Sequence, residues 1–146
     1  HRGLLRAYGR LCVAALSVGI ARAALMAGVT YSLDRQQFGK PIARFQPIQW
    51  QTADSQTELQ AAELLLWRAA WSLEQGKSAP VSKASIFAVN TALKVSDRAL
   101  QMHGGYGYTA DFPVERHYRD AVTVRKLADG VDVQRVELAK QLAAYA

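Results

Sequence analysis

Cysteine is nearly absent from this chain. The single Cys12 among 146 residues excludes an internal disulfide framework and fits a reducing compartment. Histidine is almost as scarce: His1, His103 and His117 lie far apart and, with one cysteine, offer no metal-ligand spacing. No metal site is expected. No run reaches the ~18 uninterrupted apolar residues of a membrane span. Leu11 to Val29 is apolar, but Arg22 interrupts it and Arg6 and Arg10 precede it. A signal peptide does not fit either, because the periodic pattern continues to Phe38 without a cleavage-like break. Acidic residues number 12 against 18 basic ones, a net charge of +6. The cations are nevertheless dispersed singly, and only Arg125 and Lys126 are adjacent. A single-strand-binding protein would carry a basic stripe interleaved with aromatics. Nucleic acid is therefore not expected as a partner, although a strongly salt-dependent DNA affinity would reopen that reading. Most charges belong on solvated helix faces, leaving a few for phosphate groups.

What is present is helical periodicity. Half of the residues are apolar, enough for one domain that buries roughly two-thirds of its unfolded surface. A start at His1 rather than Met reads as a fragment or a processed product. The first helix is predicted from near Leu4 to Arg35, stopping before Phe38-Gly39-Lys40-Pro41. Pro47 opens a second helix to about Gln75, with Ile48, Ser55, Leu59, Ala62, Leu66, Ala69 and Leu73 on one stripe. Gly76 to Pro80 connects it to a third, from about Pro80 to Met102, with Ile86, Val89, Leu93 and Leu100 inward. Three glycines between Gly104 and Gly107 halt that helix. Pro113 reopens one to about Lys126, Ala128-Asp129-Gly130 breaks it, and a last helix runs from near Asp132 to Ala144. No stretch alternates convincingly with period two. Three long helices and a split fourth predict an all-α fold, an antiparallel four-helix up-and-down bundle.

Three segments carry more than periodicity. The first is Tyr31-Ser32-Leu33-Asp34-Arg35-Gln36-Gln37-Phe38-Gly39-Lys40-Pro41-Ile42, followed by Phe45-Gln46. The second is Gln101-Met102-His103-Gly104-Gly105-Tyr106-Gly107-Tyr108, and the third Pro113-Val114-Glu115-Arg116-His117-Tyr118-Arg119-Asp120-Ala121. Arg35 ends a helix beside a turn, where its guanidinium can either grip a phosphate through two donors or pair with Asp34 or another surface carboxylate. Glycines at 104 and 105 let a ligand lie against bare backbone, or simply permit a tight turn. His103 reads as a packed, hydrogen-bonded residue. The charges from Glu115 to Asp120 read as helix-surface salt bridges, and Trp67 and Trp71 as core or interface packing.

In this order and spacing the three segments closely resemble the C-terminal domain of acyl-CoA dehydrogenases, over nearly the whole chain. The resemblance implies one helical domain over residues 1–146, with the family's N-terminal helical and middle β-barrel domains absent. It implies FAD as cofactor, with Arg35 on the pyrophosphate of a neighbouring subunit's FAD. Gln37, Phe38, Gln46, Gln101, Gly104 and Gly105 match further FAD contacts. It also implies a dimer or tetramer, homomeric or heteromeric, and α,β-dehydrogenation of an acyl-CoA or acyl-carrier thioester to the trans-2-enoyl product. Reoxidation would run through an electron-transfer flavoprotein. The expected location is the bacterial cytoplasm, with the mitochondrial matrix as the alternative. By itself the chain is not expected to be a complete catalyst.

The base is where the pattern departs. The family places a carboxylate in the breaker before the last helix, usually in Glu-Gly-Thr, desolvated and aimed at the α-proton. Counting without gaps from Arg119-Asp120, or back from Gln134-Arg135, puts that position on Ala128. Matching the local glycine puts Asp129 there instead. Asp is shorter than Glu by one C–C bond, ~1.5 Å. Some family members carry the Glu on the first helix, just before an Arg matching Arg10; here that position is Gly9. Two readings stay open. Asp129 is the base, with Arg10 near the substrate, in a dehydrogenase or an Asp-base oxidase-type relative; or the chain belongs to a base-deficient subunit that holds FAD for a partner. Asp129 could also be a helix N-terminal acid stabilised by the dipole.

Overall fold

The chain folds around one pair of small-residue helix faces. The computed structural model describes residues 2–77 and 79–144; His1 and Ser78, named above, lie outside the described residues. Five α-helices follow in order: α1 (Arg2–Asp34), α2 (Gln46–Glu74), α3 (Ala79–His103), α4 (Val114–Val124) and α5 (Gly130–Ala143). Helix α3 is the hub. It packs most extensively on α1 and also meets α2, α4 and α5. Ala14, Ala21 and Ala24 of α1 and Ala88 and Ala92 of α3 are fully buried, so the two backbones can approach closely. The approach is tightest at Gly28, where an added Cβ would stand 3.1 Å from Met102 Sδ and 3.3 Å from Ala99 Cα. Branched residues fill the flanks: Val13, Val89, Val124 and Val131 form a second cluster under α4 and α5. Ile86 packs against that cluster, and Leu93 and Leu100 against the main one, each only partly buried.

All five helix predictions hold to within two or three residues, a margin set by fraying and capping. Between α1 and α2 the structure adds something that period-two alternation did not reveal. Gln36–Gln37 (β1) and Lys40–Pro41 (β2) pair antiparallel, Gln36 opposite Pro41 and Gln37 opposite Lys40. Phe38 and Gly39, at φ 51° and 74°, make the two-residue turn. Positive φ at both central residues matches the twist of a tight hairpin. Two-residue strands are too short to leave a periodic trace. Trp67 and Trp71 are a correction in part, since at 71% and 60% exposure they are not core. By length and composition α1 could cross a membrane, with half of its most apolar 18-residue window buried inside the bundle. Seven of the buried core residues, from Ala7 to Leu25, come from this helix, and its apolarity follows from that.

Candidate functional site

Two constellations lie toward opposite ends of α1. Arg10 and Asp34 are roughly 36 Å apart along the axis at ~1.5 Å per residue.

At the C-terminal end, Arg35 caps the exit of α1 through its backbone N–H to Tyr31 O (2.9 Å), and Ile42 N–H closes the hairpin onto Arg35 O (2.8 Å). The Arg35 side chain is thereby launched from a braced position. Its guanidinium lies 5.7 Å from the centroid of the Tyr106 ring, and among the described residues it makes no ion pair. Across from it α3 ends and Gly104–Tyr108 turns in a 3-10 helix. Gly104 has φ 57°, and an added Cβ at Gly104 or Gly105 would meet nothing within 4 Å. Bare backbone thus faces open space, in a cavity of about 540 Å³. Arg35, Gln37, Gln101, Gly104 and Gly105 all line it. Phe38 and Gln46 do not. Phe38 stands 92% exposed at the hairpin tip, edge-on to Phe45 at 6.2 Å.

A second, more apolar cavity of about 760 Å³ adjoins the first, sharing Tyr31, Arg35, His103 and Tyr106. Its wall is an aromatic cluster in which Tyr31 stacks on His103 at 4.1 Å and Phe112 meets both edge-on. His103 is 3% exposed and its Nδ1 lies 2.8 Å from Ala99 O. A carbonyl only accepts, so Nδ1 carries the proton and the imidazole is packed and hydrogen-bonded, as its setting in the sequence implied.

At the N-terminal end the breaker before α5 is left-handed over three residues: Ala128, Asp129 and Gly130 have φ 48°, 73° and 73°. Asp129 occupies the N-cap position of α5 yet makes no side-chain cap bond. Its carboxylate turns to α1 instead. Arg6 Nε donates to Asp129 Oδ2 at 2.9 Å and Arg10 Nη2 to the same oxygen at 3.1 Å. Arg6 Nη2 and Arg10 Nη2 also reach Glu137 Oε1 and Oε2, at 2.7 and 2.6 Å. Arg10 Nη1 donates to Ser82 Oγ of α3 at 3.0 Å. The hydrogen bond from Arg6 holds the Asp129 carboxyl below the usual carboxylate range; desolvation opposes it, and the weaker contribution of the Arg10 bond adds to the lowering. Glu137 is lowered likewise, first by Arg10 and then by Arg6. Arg10 is buried, whereas Arg6, Asp129 and Glu137 are each at least one-third exposed. Water therefore screens these pairs.

Sequence reasoning singled out Asp129 and Arg10 but missed Arg6 and Glu137. Arg6 and Arg10 do stand four residues apart, one face of a helix, which was the available signal. The two alternative base positions also meet: a Cβ added at Gly9 would lie 3.9 Å from Ala128 Cβ. The charges on α4 make the expected surface pair, Glu115 with Arg119 at 2.7 Å.

With this geometry in view, comparison with known proteins is decisive. The model of the acyl-CoA dehydrogenase C-terminal domain matches residues 6–143. The chain belongs to the acyl-CoA dehydrogenase family. Among its relatives is a 3-(aryl)acrylate reductase of Clostridium sporogenes, 42% identical over 136 residues, covering 92% of this chain and 36% of the relative. The caffeyl-CoA reductase-Etf complex subunit CarC of Acetobacterium woodii is 44% identical over 114 residues, covering 77% and 30%. The solved structure of butyryl-CoA dehydrogenase from Megasphaera elsdenii superposes with a TM-score of 0.92 at 38% identity, covering 94% of this chain and 37% of that one. The chain thus spans about a third of the length of the acyl-CoA dehydrogenase relatives it matches.

Proposed function

We propose that the protein containing this domain is a FAD-dependent acyl-CoA dehydrogenase that converts a saturated acyl thioester to its trans-2-enoyl form. The observation that carries the reading is the convergence of Arg35, Gln37, Gln101, Gly104 and Gly105 on one cleft. That cleft offers a cation braced at its root and two residues of bare backbone, a combination suited to the pyrophosphate and the flat faces of a dinucleotide. Phe38 and Gln46, outside its wall, would touch the cofactor only beyond the cleft. When bound, FAD supplies the hydride acceptor for the β-hydrogen. The chain's own part in the chemistry falls to Asp129, whose carboxylate takes the α-proton as the C–C double bond forms, with Arg10 holding it in place.

Because Arg35 and Asp129 lie toward opposite ends of α1, one cofactor does not touch both. Each chain would serve two sites, its cleft closing over a neighbour's FAD, so that dimers or tetramers are the working form. An electron-transfer flavoprotein is the expected acceptor, in keeping with the Etf complex named for the Acetobacterium woodii relative. The brief link from α2 to α3 supports reading the domain as an antiparallel four-helix up-and-down bundle, its fourth helix split into α4 and α5.

One observation favours a second reading. Gly9 and Ala128 bring no carboxylate to the space between them, and the acid beside it, Asp129, is already engaged by two guanidiniums. A base poised near neutral pH is normally raised, not lowered. The alternative is a base-deficient subunit that holds FAD for a partner chain.

The two are separated by anaerobic titration of the full-length flavoprotein with butyryl-CoA, 3-phenylpropanoyl-CoA and longer or branched acyl-CoAs. Bleaching of the flavin band that disappears in Asp129→Asn is the expected result. Flavin that stays oxidised with every thioester supports the base-deficient subunit. Bleaching that survives the substitution retires Asp129.

A further inference from the structure

The ionic cluster that joins α1 to the breaker is asymmetric at the Asp129 carboxylate. Arg6 Nε and Arg10 Nη2 both donate to Oδ2. Among the described residues no hydrogen bond reaches Oδ1. Glu137 is used differently, one oxygen to each arginine. Every guanidinium therefore bridges two carboxylates, and Ser82 Oγ steadies the second arm of Arg10.

We infer that Arg6 and Glu137 are positioning residues: Glu137 aligns the two guanidiniums, these anchor Oδ2 of Asp129, and Oδ1 is left as the oxygen that receives the substrate α-proton. The inference rests on reading Asp129 as the base.

Three physical points support it. The first is conformational. Ala128 and Asp129 both sit at positive φ, a conformation that costs about 1–2 kcal/mol per non-glycine residue. A breaker so placed holds its shape only when tied down, and the arginine clamp ties it to α1. The second is orientational. A carboxylate on a free rotor spends little time aimed at a C–H bond, and fixing a reacting group is a large part of what an active site contributes. Anchoring through one oxygen fixes the aim while sparing the other. A proton arriving at Oδ1 breaks none of the bonds to Oδ2.

The third point is charge. Among the described residues, Arg6 and Arg10 from α1 and Glu137 from α5 are the charged groups hydrogen-bonded in this cluster, and Ser82 Oγ is its only hydrogen-bond partner from α3. With Asp129 they sum to zero. Two arginines alone would hold the Asp129 carboxylate deprotonated too strongly for it to accept a proton readily. Glu137 draws one bond from each and moderates them. Glu137 thus acts on the base through the arginines, without touching it.

The test uses the full-length holoenzyme and the pH dependence of anaerobic flavin bleaching by whichever acyl-CoA reduces the wild type fastest. Asp129→Asn is the reference and abolishes bleaching. In Arg6→Gln the acidic limb of the profile moves to higher pH, because a cation has left the carboxylate. In Glu137→Gln it moves to lower pH, because the arginines then act on Asp129 undivided. Opposite shifts are the signature, since loss of packing alone would lower both melting temperatures and leave the limb in place. Limbs that stay where they were, or that move the same way, overturn the inference while leaving Asp129 as base. Should Arg6→Gln fail to fold, Arg6→Lys keeps the charge and loses the Nε arm: a slower rate with an unmoved limb supports the anchoring role, and an unchanged rate overturns it. Wild-type flavin that no acyl-CoA bleaches, or bleaching undiminished in Asp129→Asn, overturns the reading of the base and the inference with it.

Discussion

Arg35 leaves the bundle one residue beyond the last turn of α1, its backbone bonded on both sides and its guanidinium without a carboxylate among the described residues. A charge-assisted bond from such a group contributes about 1.5–3 kcal/mol. Arg35→Ala in the full-length protein should therefore weaken FAD binding about ten- to hundredfold, read by adding FAD back to the apoprotein, with the far-UV circular dichroism unchanged. The paired acids give a pH prediction. Asp129 and Glu137 are both held below their ordinary range in the folded chain, so the folded state binds fewer protons than the unfolded one. Their contribution to stability is fully present above about pH 5 and is lost as pH falls through the carboxylate range. Melting temperature measured against pH should fall in that window, and the fall should be shallower in Asp129→Asn with Glu137→Gln. At this scale the sequence was informative where a residue type meets a special backbone, as at Arg35 and Gly104. For Arg6 it offered only the four-residue spacing from Arg10, and for Glu137 nothing, because the left-handed breaker that brings α1 and α5 together at that point leaves no spacing rule that pairs them.

Helix existence was legible throughout, since three- and four-residue steps of apolar residues persist over twenty or more positions in each of α1, α2 and α3. What escaped was the detail of contact. Leu93 and Leu100 looked like core by size but are only partly buried, while the fully buried positions of α3 are short side chains: Val81, Ala84, Ser85, Ala88, Val89, Ala92, Val95 and Ser96. Small residues win there because α3 is hemmed in by four helices and only short side chains fit between closely set axes. Gly28 marks the limit of that approach. Gly28→Val places new atoms against Met102 and the Ala99 backbone and should cost about 1–3 kcal/mol, seen as a lower melting temperature. Ser96 gives the opposite test. Its hydroxyl is fully buried and has no partner, so Ser96→Ala should leave the melting temperature unchanged or raise it.

Across the whole molecule the decisive number is the length of α1. The cleft at one end and the ionic cluster at the other are too far apart to act on one ligand, so the proposed function makes assembly part of the chemistry. The isolated 146-residue chain should fold, with strong helical circular dichroism, but should lose flavin on gel filtration, because in the proposed function its cleft supplies only one wall of a cofactor site. Stoichiometric flavin retained by these residues alone would contradict the assembly. The outer face of α2 shows a related incompleteness, with Trp50, Leu64, Trp67 and Trp71 all more than half exposed on one stripe at fourteen-, three- and four-residue steps.

The near contact of Gly9 with Ala128 has an evolutionary reading. Two points far apart in the chain open onto the same few cubic ångströms, so a functional side chain filling that space can be supplied from either address. A lineage can pass the task from the last loop to the first helix without moving any backbone. A column-by-column alignment would then record a loss at one position and an unrelated gain at another, although in three dimensions the group had never left.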